Sequence, residues 1–177
     1  MPEQNEIRAG ILTVSDRSSR GERPDRTGPV IEELLTSMGW RVSKSLVIPD
    51  DLEKIKGTLI EWVEKGDIDL LFTAGGTGFS ARDITPEATS QIIDRPAPGL
   101  TEVMRARSMQ ITPHAMLSRA VAGIRGRTLV INLPGSPKAA RENLEVVLPV
   151  LGHAVQLLRD DPQAESGHLI PEDLSDL

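Results

Sequence analysis

The chain has 177 residues, 38% hydrophobic and 26% charged, with 2% aromatics, no cysteine and a net charge of −6. That length suits one domain with a single substantial core. The composition excludes disulfides, cysteine-ligated zinc and thiol catalysis, and argues against a nucleic-acid binder that works by neutralising phosphates or stacking bases.

No apolar run is long enough to suggest a membrane span: Leu144 to Leu158 is interrupted by Glu145, Pro149, His153 and Gln156. The opening MPEQNEIR lacks the basic-then-apolar order of a signal peptide, so a cytoplasmic location is expected. His114, His153 and His168 show no metal-ligand spacing.

Ile7 to Val14 reads as a buried strand, followed by a polar loop rich in Arg, Asp, Ser and Gly from Ser15 to Gly28. From Gly28 the pattern turns helical, with Val30, Ile31, Leu34, Leu35 and Met38 on one face and Gly39 at the stop. Arg41 to Ile48 reads as a second strand. A helix opened by Pro49-Asp50-Asp51 then turns Leu52, Ile55, Leu59, Trp62 and Val63 inward and closes at Gly66. IDLLFTA is a third strand, apolar on both faces as central parallel strands are.

After a glycine-rich turn, Thr85 is placed at an N-cap and Pro86 at the first helical position. Another helix is expected over Leu100 to Met109. AVAGI and RTLVINL read as a hairpin or two neighbouring strands. Ser136 then caps a long helix that begins at Pro137 and that Pro149 should kink or split. The alternation predicts a three-layer α/β/α sandwich with a mainly parallel sheet, one domain over residues 1–159. An acidic tail over 160–177 is expected to be loosely ordered.

Ligands of such sheets bind at the carboxyl ends of the strands. Three loops of unusual composition follow strands: Ser15 to Gly28, Gly75 to Thr85 and Leu133 to Lys138. Gly75-Gly76-Thr77-Gly78 is neither a Walker A motif nor G-x-G-x-x-G. Two readings of it stay open: convergent backbone N–H donors for an anion, or a turn that needs positive φ. Ser136 with Lys138 offers a capped helix start suited to an anion, or simply a well-capped helix.

Asp50 followed by Glu53 fits a capping box, with Asp51 favouring the helix dipole. Asp83 beside Arg82 fits a surface ion pair. The functional alternative is that Asp50 and Asp83 hold a divalent cation against phosphates, with Asp16 a third candidate. Arg17, Arg20 and Arg23 read as solvated, with the option of meeting an anionic substrate.

Five blocks in order, "LTVSDRSSRGERPDRTGP", "VIPDD", "TAGGTGFSARDITPEAT", "PGLTEVMR" and "AMLSRAVAGIRGRTLVINLPGSPKAARENLEVVLPVLGHAVQLL", resemble the molybdopterin adenylyltransferases. These are the MogA-type proteins, related to MoaB and to the G domain of gephyrin. The resemblance runs from Ile7 to Leu158 and implies a three-layer α/β trimer that adenylylates molybdopterin with Mg²⁺ and ATP, releases pyrophosphate and hands its product to a molybdate-inserting enzyme. It implies that Asp50 and Asp83 are the catalytic and Mg²⁺-binding acids. It places substrate and phosphate contacts at Ser15, Asp16, Gly75, Gly76, Thr77, Gly78, Gly135, Ser136 and Lys138. Thr85, in the "ITPEAT" form, favours the MogA type over MoaB. The alternatives are a non-catalytic molybdopterin carrier or scaffold, or a MoaB-type paralogue.

Overall fold

A computed structural model describes residues 6–162 and 164. The tail expected beyond residue 160 falls, at 163 and from 165 onward, outside them. The elements run β1 (Arg8–Val14), α1 (Asp16–Ser19), α2 (Thr27–Ser37), β2 (Arg41–Ile48), α3 (Leu52–Glu64), β3 (Leu70–Ala74) and α4 (Thr85–Ser90). They continue with β4 (Arg95–Pro96), α5 (Pro98–Met109), a 3-10 turn (Pro113–Leu117), β5 (Ala122–Arg125), β6 (Thr128–Leu133) and α6 (Pro137–Leu158).

The six strands form one sheet in the order β2-β1-β3-β6-β5-β4. β2, β1, β3 and β6 are parallel, and β5 and β4 add an antiparallel edge through the β5–β6 hairpin. β1, β3 and β6 are buried on both faces, which is why their sequences are continuous apolar runs rather than alternating ones. On one face Ile31 and Leu35 of α2, Met104 of α5 and Leu144, Val147 and Leu151 of α6 pack against Ile11, Phe72 and Ile131. On the other, Ile55, Leu59 and Trp62 of α3 and Ala88 of α4 pack against Leu12, Leu71 and Val130. The expected three-layer architecture is present. Each fully buried Ile, Leu or Phe stabilises it by about 1.5–3 kcal/mol.

Local chemistry departs from expectation in instructive places. The segment from Ser15 is not all loop: Ser15 caps the single turn α1, its hydroxyl accepting from the Ser18 N–H. Asp51, not Asp50, caps α3, accepting from the Lys54 N–H at 2.9 Å and leaving Asp50 for other work. Thr85 is the first helical residue of α4 rather than its cap, and α5 starts at Pro98, two residues before Leu100. Met38 lies 49% exposed instead of on the inner face. Pro149 does not split α6, because it sits on the exposed side, where the carbonyl of exposed Glu145 that loses its donor is met by solvent.

Parallel registry brings the strand ends level. Val14 pairs with Ile48, Thr13 with Ala74, and Ala74 with Leu133. The chain leaves β1 for β2 on one side and β3 on the other, so the strand order reverses between β1 and β3. In open α/β sheets a crevice forms at such a point, outside the carboxyl ends.

Candidate active site at the carboxyl ends of the parallel strands

The three loops meet at that crevice. Ser15 N donates to Ile48 O (2.9 Å), Gly75 N donates to Leu133 O (3.1 Å), and Thr27 Oγ1 donates to Gly135 O (2.7 Å). They enclose a cavity of about 1000 Å³ whose wall includes Ser15, Asp16, Asp50, Gly75, Gly76, Asp83, Gly135 and Ser136. Thr77 and Gly78 face the other way, into a smaller and more apolar cavity of about 270 Å³ beside α5 and the 3-10 turn. Lys138 joins neither: its side chain is 79% exposed, with Nζ 3.8 Å from Glu142 one turn along α6.

Each glycine of the turn after β3 is explained by a close approach within the chain. A Cβ on Gly75 (φ +107°) would lie 2.3 Å from the Val14 carbonyl oxygen. On Gly76 (φ +65°) it would lie 2.4 Å from Thr85 Oγ1 and 3.1 Å from Asp50 Oδ1. At Gly78 it would meet Asp83 Oδ2 at 2.9 Å. The glycines therefore let two aspartates and a threonine hydroxyl close on the backbone, and the positive φ at Gly75 and Gly76 makes side chains doubly costly there.

The acids are wired together. Asp16 N donates to Asp50 Oδ2 (2.9 Å), and Asp50 N donates in return to Asp16 Oδ1 (3.1 Å). Arg82 does not pair with its neighbour Asp83. Its guanidinium reaches across to Asp16, donating to Oδ2 at 3.0 Å and Oδ1 at 2.9 Å. Burial works to raise the Asp16 carboxyl, but the Arg82 hydrogen bonds and charge and the Asp50 N–H outweigh it and hold the group below its ordinary value. Asp50, 9% exposed, is pushed above its ordinary value by burial, with the charges of Asp16 and Asp83 acting in the same direction. Asp83 Oδ2 accepts from Ser80 N at 3.0 Å.

Positive charge lines the same cavity. Arg17, Arg20, Arg23, Arg26 and Arg82 are all in its wall. Arg20 is paired with Glu22, whereas Arg17, Arg23 and Arg26 have no ion pair within 4 Å among the described residues. Arginines beside acids at a crevice suit a polyanionic ligand, with or without a cation between.

Among the described residues no group of three or more His, Asp or Glu side chains could hold a metal by itself. Magnesium prefers one or two carboxylates completed by substrate phosphate oxygens and water. Asp50 Oδ1, which has no hydrogen bond among the described residues, fits such a shared site, and Asp83 stands at the next glycine, Gly78.

Two contributors escaped the sequence reading. Asp25, one residue before the N-cap Arg26, accepts from Thr13 Oγ1 (2.7 Å), Thr27 N (2.9 Å) and Gly28 N (3.1 Å), fixing the arginine-bearing loop to the sheet and satisfying the first two amides of α2. An acid just before Thr-Gly-Pro was the available signal. Arg119 holds the glycine loop from the opposite side. Its N–H donates to Thr77 O (2.9 Å), its Nε to Gly78 O (2.7 Å) and its Nη2 to Asp83 O, while Nη1 pairs with Glu87. Those partners lie far away in sequence, so no local pattern announces the role.

An open α/β sheet with an acid-and-arginine crevice at its reversal point defines an anion-binding protein of the nucleotide or phosphate-ligand class. Residues 10–153 match the family model described as a probable molybdopterin binding domain. The chain is 44% identical over 165 residues to gephyrin of Dictyostelium discoideum, covering 88% of this chain but only 23% of that protein. To a molybdopterin adenylyltransferase of Helicobacter pylori it is 41% identical over 154 residues, covering 86% of this chain and 88% of that one. A crystal structure of the molybdopterin biosynthesis enzyme MoaB from Thermus thermophilus superposes with a TM-score of 0.83 at 52% identity, covering 88% of this chain and 98% of the other. The chain belongs to this molybdopterin-binding family.

Proposed function

We propose that the protein is a molybdopterin adenylyltransferase of molybdenum cofactor biosynthesis, joining the AMP part of ATP to the terminal phosphate of molybdopterin. The observation that carries the reading is the crevice itself. Asp16, Asp50 and Asp83 share one cavity with uncommitted arginines, and at about 1000 Å³ it has room for two substrates side by side. The similarity to a relative bearing that name over 88% of its length supports it.

In this reading an oxygen of the molybdopterin phosphate attacks the α-phosphorus of ATP, and the bond to the β-phosphate breaks in line to release pyrophosphate. A phosphate monoester has its second pKa near 6, so the nucleophile is already largely ionised at neutral pH. No side chain has to remove a proton, and the chain's work is positioning and charge balance. Arg17, Arg23 and Arg26 draw the triphosphate into the crevice, and Ser15, Gly75, Gly76, Gly135 and Ser136 shape its floor. Asp50 and Asp83 hold the cation side, and a bound Mg²⁺ would neutralise charge developing on the phosphate oxygens.

Thr77 and Gly78 line the adjoining apolar cavity, and their carbonyls accept from Arg119. Lys138, away from the cavity wall, is left out of the phosphate site. Solved structures bearing the MogA and the MoaB names are both similar to the chain, and in this reading Thr85 favours the MogA type.

A reaction that consumes ATP fits a cytoplasmic location. No helix among the described residues is long and apolar enough to cross a membrane. A homotrimer would cover the exposed Val103, Met109, Ile111 and Met116 along α5 and the turn after it. A molybdate-inserting enzyme would consume the product. Anaerobic incubation with molybdopterin, ATP and Mg²⁺ tests the reading. Adenylyl-molybdopterin and pyrophosphate are expected in equal amounts and only when all three are present. Molybdopterin binding without pyrophosphate would instead identify a carrier.

A further inference from the structure

Thr85 Oγ1 is fully buried and has no hydrogen-bond partner among the described residues. Of the seven other buried threonines, six use their hydroxyls: Thr13, Thr27, Thr73, Thr89, Thr101 and Thr128, on Asp25, the Gly135 carbonyl, Asn132 (twice), the Pro98 carbonyl and the Ile68 carbonyl. The seventh, Thr77, lines the apolar cavity beside α5. A buried hydroxyl left unpaired destabilises the fold, and such a group in a native protein calls for an explanation.

Its place supplies one. The Thr85 N–H donates to the Gly76 carbonyl at 3.1 Å, fixing the residue at the start of α4 against the glycine turn. The hydroxyl is aimed at the space where Gly76 lacks a side chain, and Asp50 Oδ1 borders that space too. The same ideal Cβ would lie 2.4 Å from one and 3.1 Å from the other. Asp50 Oδ2 is already committed to the Asp16 N–H, whereas Oδ1 is the oxygen left for a ligand.

We propose that Thr85 is a positioning residue for Asp50: its hydroxyl, which no described protein group satisfies, takes up its hydrogen bond when Mg-ATP engages Asp50, and so holds the carboxylate on the cation. The inference rests on the transferase reading above and deepens it. A bond made only in the loaded protein contributes to ligand affinity rather than to folding.

Thr85→Val removes the hydroxyl at nearly constant volume, and Thr85→Ser keeps it. For Thr85→Val the ligand-free Tm should equal or exceed that of the unaltered protein, while the rise in Tm on adding Mg-ATP should fall by about half or more. The Mg²⁺ concentration for half-maximal turnover should rise about tenfold with the KM for molybdopterin unchanged, and Thr85→Ser should restore both. A Thr85→Val protein with an unaltered Mg-ATP shift and Mg²⁺ dependence overturns this inference alone. So does a ligand-free Tm several degrees lower, which would make the hydroxyl a structural group. Unaltered protein that shows neither a Mg-ATP shift nor turnover overturns the transferase reading, and this inference with it.

Discussion

Asp50 and Asp69 are both buried, at 9% and 5% exposure, at opposite ends of the same sheet. At the amino end, Asp69 accepts from Arg8 N (2.8 Å) and Nε (3.2 Å) and from Arg159 Nη2 (2.8 Å) and Nε (3.1 Å). Burial pushes its carboxyl up, but the Arg159 and Arg8 bonds outweigh burial and hold it below the ordinary value. At the carboxyl end, Asp50 has one backbone donor, no cation within 4 Å among the described residues, and a carboxyl pushed up by burial. The same residue type is a satisfied anchor at one end and, in the proposed function, the ligand of a cation at the other. The cavity of about 480 Å³ beside Asp69 is likewise lined by groups already paired, Arg8 and Arg159 with Asp69 and Arg125 with Glu64. Burial of a charge marks function only where the balancing charge is missing.

The largest effect that would break this contrast belongs to the functional end. Asp83→Ala should lower the rate of adenylylation by about a hundredfold or more, as losses of transition-state charge stabilisation do, while its Tm changes little; the rate of pyrophosphate release reads it.

At the structural end the effect falls on folding instead. Asp69→Asn leaves Arg8 and Arg159 without their carboxylate and should cost about 2–3 kcal/mol, at the low end for a buried pair because both arginines are partly exposed. Turnover at a temperature where the variant is folded should be unchanged. The pH dependence has a definite sign. A depressed folded-state value means that the stabilising contribution is present above the unfolded value of about 3.9 and is lost as pH falls through the folded one. The gap between the two proteins in urea unfolding should therefore be constant from neutral pH down to about pH 5 and shrink below about pH 4.

The smallest effect sharpens the site's boundary. Lys138→Ala should change stability by less than about 0.5 kcal/mol, since an exposed pair at 3.8 Å contributes little, and kcat/KM should stay within about twofold. A tenfold rise in the KM for either substrate would return Lys138 to the phosphate site.

How much of this was legible in the sequence follows the range of each interaction. Ser136 capping α6, the runs of β1, β3 and β6 and the amphipathic α3 are local patterns, and the structure carries them as read. The choice between Asp50 and Asp51 as cap was not legible. Both precede α3, and only the N–H of Asp16, delivered by β1 lying parallel beside β2, draws Asp50 away. Arg82 turning to Asp16 and Arg119 strapping the glycine loop are contacts across 66 and 41 residues, with no periodic trace. Glycine spacing announced a crowded turn but not what crowds it, which is Val14, Thr85, Asp50 and Asp83.

The most direct test of this contrast is Asp50→Asn at neutral pH, with Tm and adenylylation rate measured on the same preparation. The neutral amide can still accept from the Asp16 N–H, yet it carries no buried charge beside Asp16 and Asp83. The expected result is a Tm above that of the unaltered protein together with loss of nearly all turnover. A lower Tm with turnover retained would contradict it, making Asp50 a second structural anchor like Asp69.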